Sequence, residues 1–251
     1  MALDNLEEVY ALKIRIKFRR FGTMKFIGHL DLMRFFQKAV RRANIDICYS
    51  EGFSPHQIMS FAAPLGVGVT SDGEYFDIEV NSTMSTEEAI KALNDTMVEG
   101  MEVTGYVKLP DNAKTAMSLV AAADYRLSYK EGYESPYQAE EWKQIIEEQF
   151  HSKEAFTIIK KTKKSEREVD LKPLVYDLSV KEVNGSPEFY IFLSTGSTDN
   201  IKPELVLSSL YEKCGLDYEP FAIQIHRFDV YANADEERRF IPLLEMGEEI
   251  V

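Results

Sequence analysis

Two hydrophobic periods follow one another near the start of the chain, and they constrain its fold more than any other feature. Over residues 13–19 apolar and basic side chains alternate, a period of two that is typical of a strand with one buried and one polar face. Over residues 29–43 the apolar side chains recur at the helical period and share one arc, while basic side chains share another. The sequence therefore predicts a strand followed by an amphipathic helix.

Strands and helices continue to alternate along the rest of the chain. The further elements predicted in the first half are strands at 57–61, 74–80 and 101–109 and a helix at 86–98. Those predicted in the second half are strands at 121–129, 155–160, 174–182, 188–195 and 222–231 and helices at 138–150 and 203–213. Each half has the order βαββαβ, with one extra strand in the second. The predicted fold class is α+β, with two ferredoxin-like units whose antiparallel sheets carry helices on one face.

A break at Pro110-Asp111-Asn112 separates the two halves. We expect an N-terminal domain over 1–112, a C-terminal domain over 113–234 and an acidic tail over 235–251. The tail contains an apolar patch at 240–244, so it is either a frayed end or a peptide that docks on another surface.

The bulk composition indicates an ordinary globular protein of the cytoplasm. The chain is 45% hydrophobic and 28% charged, and its two cysteines, Cys48 and Cys214, are too few for a disulfide framework. No apolar run is long enough to cross a membrane, and the acidic start lacks the pattern of a signal peptide. We therefore expect a reducing compartment and no membrane partner.

Charge is distributed unevenly. The net charge is −13, yet residues 13–42 contain ten basic side chains and one acidic side chain, Asp31. Such asymmetry favours a polyanionic partner such as RNA, although a merely solvated basic surface gives the same pattern. The side chains expected to contact phosphates, on one surface continuing from strand to helix, are Arg15, Lys17, Arg19, Arg34, Lys38 and Arg41.

The segment 49–57 is a second candidate feature. Gly52 and Pro55 indicate a loop, and loops that carry aromatic and titratable residues are frequent binding sites. A structured connection with Phe53 packed inward is the alternative. The residues expected to contact a substrate or partner are Tyr49, Glu51, Gly52, Phe53, Pro55 and His56.

Histidines supply the candidates for acid–base chemistry, since imidazole titrates near neutrality. His29, at the start of the predicted helix, and His56 are the two candidates, and a buried structural role for His29 is the alternative. The sequence has no zinc-ligand spacing, no Walker loop, no nucleophile elbow and no dinucleotide fingerprint. Two cysteines cannot ligate a four-iron cluster alone, so no metal or cofactor is expected on this chain.

Several motifs resemble those of a known family. They are Gly28-His29-Leu30-Asp31-Leu32-Met33-Arg34, Arg41-Arg42-Ala43, Tyr49-Ser50-Glu51-Gly52-Phe53-Ser54-Pro55-His56, Ser60-Phe61-Ala62-Ala63-Pro64-Leu65-Gly66-Val67-Gly68, Gly73-Glu74-Tyr75-Phe76-Asp77 and Glu168-Val169-Asp170-Leu171-Lys172-Pro173. Together they are similar to the radical-SAM-linked proteins, a domain family of unknown function (DUF2344). The acidic tail has no counterpart in the family pattern.

The resemblance implies an accessory role beside a B12-binding radical SAM protein. In that family the domain is either fused to the radical SAM protein or encoded beside it, often near genes of RNA processing and ribosomal proteins. The iron–sulfur cluster, SAM and cobalamin are then expected only on the partner. The resemblance assigns no catalytic residue.

Three functions stay open from the sequence. The first is a binding subunit that presents RNA or a ribosome-related substrate to the radical SAM partner. The second is a protein-interaction subunit that makes no RNA contact. The third is a metal-independent RNA endonuclease using His29 or His56, by fold-level analogy with repeat-processing endonucleases that pair two ferredoxin-like units.

Overall fold

A computed structural model describes residues 11–161, 166–196, 199–234 and 239–251. The chain divides into two compact units. Unit 1 holds the described residues up to Val67, together with Glu74–Leu119 and Ile241–Val251. Unit 2 holds Gly68–Gly73 and Val120–Phe240.

Unit 1 combines a small sheet with two main helices. Its elements are β1 (Leu12–Arg20), α1 (His29–Arg42), β2 (Met59–Ala62), β3 (Thr70–Val80, from Glu74 onward), α2 (Thr86–Asn94), β4 (Met101–Lys108) and the short α3 (Ala116–Leu119). The strands lie in the order β4-β1-β3-β2, and the β1–β4 and β2–β3 pairs are antiparallel. The predicted order βαββαβ therefore matches the observed order of these elements.

One hydrophobic core holds unit 1 together. Phe18 of β1, Phe36 of α1 and Phe76 of β3 are fully buried, and their rings lie 4.6–5.8 Å apart. Ala89 and Leu93 of α2 belong to the same core. Both long helices of unit 1 therefore pack on the same face of its sheet, where aromatic burial contributes much of the stability.

Unit 2 also combines a sheet with helices. Its elements are β5 (Val120–Tyr129), α4 (Ala139–Ile146) extended by a π-helical turn (Glu147–His151), β6 (Thr157–Lys161), β7 (Glu166–Asp170), β8 (Val175–Val183), β9 (Ser186–Ser194), α5 (Pro203–Lys213) and β10 (Ile223–Asn233). The main strands lie in the order β10-β5-β9-β8, all antiparallel, and β6 and β7 form a separate hairpin. Trp142 is fully buried against Phe189 and Tyr211.

The prediction of a mixed α+β fold with mostly antiparallel strands is confirmed. The finer prediction of two ferredoxin-like units stays a prediction, as do the predicted domain boundaries. Within the tail, residues 235–238 lie outside the described residues. Ile241–Val251 belongs to unit 1, where Leu243 is fully buried and the backbones of Glu248 and Lys108 exchange two hydrogen bonds of 2.9 Å. This end of the chain is therefore packed and not frayed.

Candidate functional site

The 49–57 loop is closed on itself by local hydrogen bonds. The Ser50 amide donates to the His56 carbonyl at 2.8 Å, and the His56 amide donates to Ser50 Oγ at 3.1 Å. Ser50 Oγ also lies 2.8 Å from His56 Nδ1, and Tyr49 and Gln57 form an isolated bridge. These contacts hold the two ends of the loop together, so the residues at its tip project from a fixed base.

The tip of this loop is exposed, as a contact surface requires. Glu51, Gly52, Ser54 and Pro55 are all exposed, and the φ of Gly52, +105°, favours glycine. Phe53 is 112% exposed relative to its reference state. The alternative prediction, that Phe53 packs inward, is therefore wrong, and an exposed aromatic ring is left at the tip.

A shared acceptor joins the loop to α1. The side-chain amide of Gln57 donates to the Gln37 carbonyl at 3.2 Å, and Arg41 Nε donates to the same oxygen at 3.3 Å. Gln57 is 7% exposed, and its buried Oε1 has no hydrogen-bond partner among the described residues. Because two donors share one oxygen, Arg41 lies beside the end of the loop.

The outer face of α1 carries the predicted cations. Leu32, Phe36, Ala39 and Val40 face the core, as the helical period predicts. The exposed positions include Leu30, Arg34, Lys38, Arg41 and Arg42. Arg34 forms an ion pair of 3.2 Å with Asp31, but both side chains are about two-thirds exposed, so the pair is weak.

The basic residues of β1 do not join this surface. Ile14, Ile16 and Phe18 belong to the core on which α1 packs. Side chains alternate along a strand, so Arg15 and Lys17 point to the opposite face of the sheet. The expectation of one continuous basic surface from strand to helix is therefore wrong.

Arg15 is a structural residue in this protein. It is fully buried, and its guanidinium makes two hydrogen bonds to the Asp77 carboxylate, at 2.8 and 3.0 Å. It also donates to the carbonyls of Leu243, at 3.1 Å, and Lys114, at 3.4 Å. The prediction that Arg15 contacts phosphate is corrected, because a buried and fully engaged guanidinium cannot reach a ligand.

The other cations of β1 are also occupied by neighbours. Arg19 forms an ion pair of 3.1 Å with Glu102, and Arg20 is buried with Glu74 at 2.9 Å. The Lys17 ammonium lies 5.7 Å from the centre of the Tyr75 ring. Phosphate contact by Lys17 and Arg19 stays a prediction, but each has a partner on its own side of the sheet.

The two candidate histidines lie in different surroundings. The ring of His29 packs edge-on against Phe61, 5.7 Å between centroids, and its buried Nδ1 has no hydrogen-bond partner among the described residues. His56 is exposed, and Ser50 is its hydrogen-bond partner. These contacts favour a packing role for His29, while an acid–base role for either residue stays a prediction.

A cavity of about 260 Å³ lies in unit 1, lined by residues of β2, of β3 and of the loop between β4 and α3. The lining residues are Lys13, His56, Gln57, Ile58, Met59, Ser60, Asp77, Ile78, Glu79, Leu109, Ala113, Lys114 and Thr115. His56 and Gln57 belong to both the cavity and the 49–57 loop. Sequence reasoning missed this site, although the acids at alternate positions of β3, Asp77 and Glu79, were a visible signal.

Two cations, the half-buried Lys13 and the buried Arg15, fix one wall of this cavity. Lys13 Nζ donates to the carbonyls of Asp111, at 2.7 Å, and Ala113, at 3.2 Å. Asp77, held by Arg15, accepts a hydrogen bond of 2.6 Å from the Ala116 amide. The loop between β4 and α3 is therefore fixed at several points before any ligand binds, a preorganisation that lowers the entropic cost of binding.

A free thiol lies close to the acidic side of the cavity. Burial raises the pKa of Cys48, and the carboxylates of Glu79 and Asp46 raise that pKa further. Cys48 Sγ lies 3.3 Å from Asn81 Oδ1. A raised pKa lowers the thiolate fraction at neutral pH and so lowers the reactivity of this cysteine as a nucleophile.

Two further properties of the described residues bear on function. Within the described ranges, no group of three or more His, Cys, Asp or Glu side chains is placed to hold a metal ion. Within those same ranges, no helix combines the length and the apolar character needed to cross a membrane.

Known proteins with similarity to this chain were identified by sequence and by structure. A crystal structure of a Cbf5-Nop10-Gar1 complex matches with 12% identity and a TM-score of 0.44, covering 88% of this chain and 49% of that chain. This protein thus spans about half the length of that relative. A crystal structure of an unknown protein from Galdieria sulphuraria matches with 13% identity and a TM-score of 0.23, covering 86% of this chain and 97% of that chain. Both TM-scores are too low to establish a common fold or function.

The family assignment comes from sequence. No curated protein matches the chain. Residues 13–203, well over half of the chain, match one family, and the matched range includes α1, the 49–57 loop and the cavity. The chain therefore belongs to the DUF2344 family, described as uncharacterized proteins conserved in bacteria.

Proposed function

We propose that this protein is a non-catalytic binding subunit that contacts its ligand through the exposed face of α1 and the 49–57 loop. This helix–loop surface comprises Arg34, Lys38, Arg41, Tyr49 and Phe53. The observation that carries the proposal is the shared Gln37 carbonyl, which places Arg41 beside the loop with its exposed Phe53 ring. The helix–loop surface therefore combines basic side chains with an exposed aromatic ring.

The ligand proposed for this surface is single-stranded RNA. Proteins that bind single strands combine basic side chains, which contact the backbone, with aromatic rings on which bases stack. Arg34 and Arg41 are seven residues apart, so they are separated by about 10 Å along the helix axis. Phe53, and Tyr49 at 49% exposure, are the rings available for stacking.

The proposed protein partner is a radical SAM protein in the cytoplasm. This part of the proposal rests on the resemblance of the 28–77 motifs to the radical-SAM-linked proteins. The cluster, SAM and cobalamin would belong to the partner, and this chain would hold an RNA or ribosome-related substrate for it.

Salt-dependent RNA binding tests the proposal. We expect the triple variant Arg34→Gln, Lys38→Gln, Arg41→Gln to bind a single-stranded RNA more weakly. Its log–log salt slope should be shallower by about two, since each phosphate contact on a single strand contributes about 0.7. The matched control is Lys91→Gln, Lys108→Gln, Lys143→Gln, which removes the same charge from exposed positions elsewhere. Equal slopes for the two triple variants, or no detectable RNA binding, would exclude the proposed surface.

Stacking is tested separately from charge. Phe53→Ala should weaken RNA binding by about 1–3 kcal/mol while leaving the salt slope unchanged, because a ring contributes no counterion release. Phe221→Ala is the control, since Phe221 is 77% exposed in unit 2. Equal affinities of the two variants would contradict a stacking role for Phe53.

A protein-interaction subunit without RNA contact is the second candidate. It is favoured by exposed apolar side chains near the start of α1, where Phe26 is 62% and Leu30 is 67% exposed. Exposed apolar groups rimmed by polar residues are typical of protein interfaces. Copurification with the radical SAM chain that survives nuclease treatment and is lost in Phe26→Ser, Leu30→Ser would support this candidate over the first.

We also propose that both units are variants of the ferredoxin-like pattern. The supporting observation is the strand order, β4-β1-β3-β2 in unit 1 and β10-β5-β9-β8 in unit 2. Numbered within each unit, with the β6–β7 hairpin set aside as an insertion, the two orders are the same permutation. On this proposal, the hairpin is the extra element of the second half.

A further inference from the structure

We propose that the cavity of unit 1 binds a small zwitterion that carries a primary ammonium and a carboxylate, such as a free α-amino acid. The cavity shares His56 and Gln57 with the 49–57 loop, but its lining includes none of the five residues of the helix–loop surface, so the proposal does not depend on RNA binding. It rests on which lining groups are already occupied and which are available to a ligand.

Two of the charged lining residues are occupied by the protein itself. The Lys13 ammonium donates to two carbonyls of the β4–α3 loop. The Asp77 carboxylate accepts from Arg15 and from the Ala116 amide. Both side chains use their hydrogen bonds to hold the cavity wall together, so we assign neither a contact with the ligand.

One acid and one base are left over. Among the described residues, the side chains of Glu79 and Lys114 make no ion pair and no hydrogen bond, with each other or with a neighbour. Glu79 is half-buried and Lys114 is exposed, so a simple cation would pair with Glu79 alone and a simple anion with Lys114 alone. A ligand that carries both charges satisfies both groups, and charge-assisted hydrogen bonds are the strong ones.

The remaining lining determines the rest of the ligand. Ile58, Met59 and Leu109 supply apolar surface for a side chain, and Ser60 and Thr115 supply hydroxyl groups. Among the described residues the lining contains no Phe, Tyr or Trp, and its one ring, the imidazole of His56, is hydrogen-bonded to Ser50. A cavity of about 260 Å³ is slightly smaller than typical sites for drug-sized ligands, as expected for a molecule the size of an amino acid.

The experiment is a binding titration of the full chain with methionine and two blocked derivatives. L-methionine carries both charges, its methyl ester lacks the carboxylate, and N-acetyl-methionine lacks the ammonium. We expect millimolar or tighter binding of the free amino acid. Each blocked derivative should bind at least about tenfold more weakly, the usual effect of losing a hydrogen bond to a charged group.

Two variants connect each charge of the ligand to one residue. Glu79→Gln should weaken methionine binding about tenfold and leave N-acetyl-methionine unaffected, and Lys114→Gln should weaken methionine and leave the ester unaffected. The matched controls are Glu87→Gln and Lys108→Gln, which change exposed residues outside the cavity. Glu79→Gln conserves the shape of the side chain and Lys114→Gln shortens an exposed one, and thermal unfolding of each would show that it folds.

Three results would overturn the proposal. One is the absence of any methionine binding at millimolar concentration. Another is equal binding of methionine and its two blocked derivatives. The third is equal binding by wild type, Glu79→Gln and Lys114→Gln, which would place any bound amino acid elsewhere.

Discussion

Arg15 and Asp77 form a buried two-bond ion pair, with Nε 2.8 Å from Oδ1 and Nη2 3.0 Å from Oδ2. The pair lies on the face of the unit 1 sheet away from α1, and it connects three parts of the chain. Arg15 bonds to the carbonyls of Leu243 and Lys114, and Asp77 bonds to the Ala116 amide. Arg15, which the charge pattern predicts to contact a polyanion, instead holds the cavity wall in place.

Removing one partner of this pair should be strongly destabilising. Asp77→Asn leaves the Arg15 guanidinium buried without its counter-charge, a change that typically costs about 3–5 kcal/mol. Urea unfolding of the full chain measures the loss. The control is Asp31→Asn, which breaks the exposed pair with Arg34 and should cost less than about 1 kcal/mol. Similar losses in the two variants would mean that Arg15 finds other compensation.

The elements of the fold were predictable because their signals are local. The alternation over 13–19 corresponds to β1, and the helical arc over 29–43 corresponds to α1. The helix predicted over 138–150 is divided into α4 and a π-helical turn at Glu147–His151, a change of hydrogen bonding that a hydrophobic period does not reveal. The hydrophobic period predicts whether a segment is a strand or a helix, but it does not predict which backbone hydrogen bonds form within a helix.

The candidate site was only partly predictable from sequence, because it depends on whether other segments of the chain cover the polar face of each helix or strand. Arg34 and Arg15 look alike in the sequence, both basic and both opposite an apolar stripe. In unit 1 the outer face of α1 is exposed, while the outer face of β1 is covered by Asp77, the β4–α3 loop and the chain end at Leu243. Coverage by segments distant in sequence cannot be read from a local pattern, and the same reason explains why the cavity was missed.

The fit of the chain end against β4 depends on a glycine. A Cβ on Gly247 would lie 2.6 Å from Val107 Cγ2 and 2.8 Å from the Lys108 carbonyl oxygen. Gly247→Ala should therefore destabilise the protein by about 1–3 kcal/mol, as overpacking does, and should increase amide hydrogen exchange at Glu248. Gly66→Ala is the control, since its Cβ would meet nothing within 4 Å. Unchanged exchange at Glu248 would contradict a tight contact.

Unit 2 should lose stability at alkaline pH. Burial is the largest cause that raises the pKa of each of four tyrosines, and neighbouring Tyr129 raises that of Tyr211 further. The four residues are Tyr190, Tyr211, Tyr218 and Tyr231. A raised pKa means that the folded state holds the proton more tightly than the unfolded state. The associated stability is complete below the unfolded pKa, about 10, and is lost as the pH rises above it.

Urea unfolding at several pH values measures this loss. The free energy of unfolding should fall above about pH 10 by at most about 1.4 kcal/mol per pH unit for each of the four tyrosines. Tyr211→Phe removes one of these groups, so its stability should fall less steeply with pH than that of wild type. A free energy of unfolding that stays constant from about pH 9 to pH 11 would contradict the argument.

Cys48 offers a native reporter of the charge on Glu79. Burial raises the pKa of this thiol most, and the Glu79 carboxylate raises it further by repelling the thiolate. Glu79→Gln removes that repulsion, so a larger fraction of Cys48 is thiolate at neutral pH. Alkylation by iodoacetamide should then be about two- to fivefold faster, the effect of one partly screened charge. Cys214, in unit 2, has its pKa raised by burial alone and is an internal control whose rate should not change. Peptide mass spectrometry gives both rates from one sample, and equal acceleration at the two cysteines would indicate general loosening of the fold in place of a local charge effect.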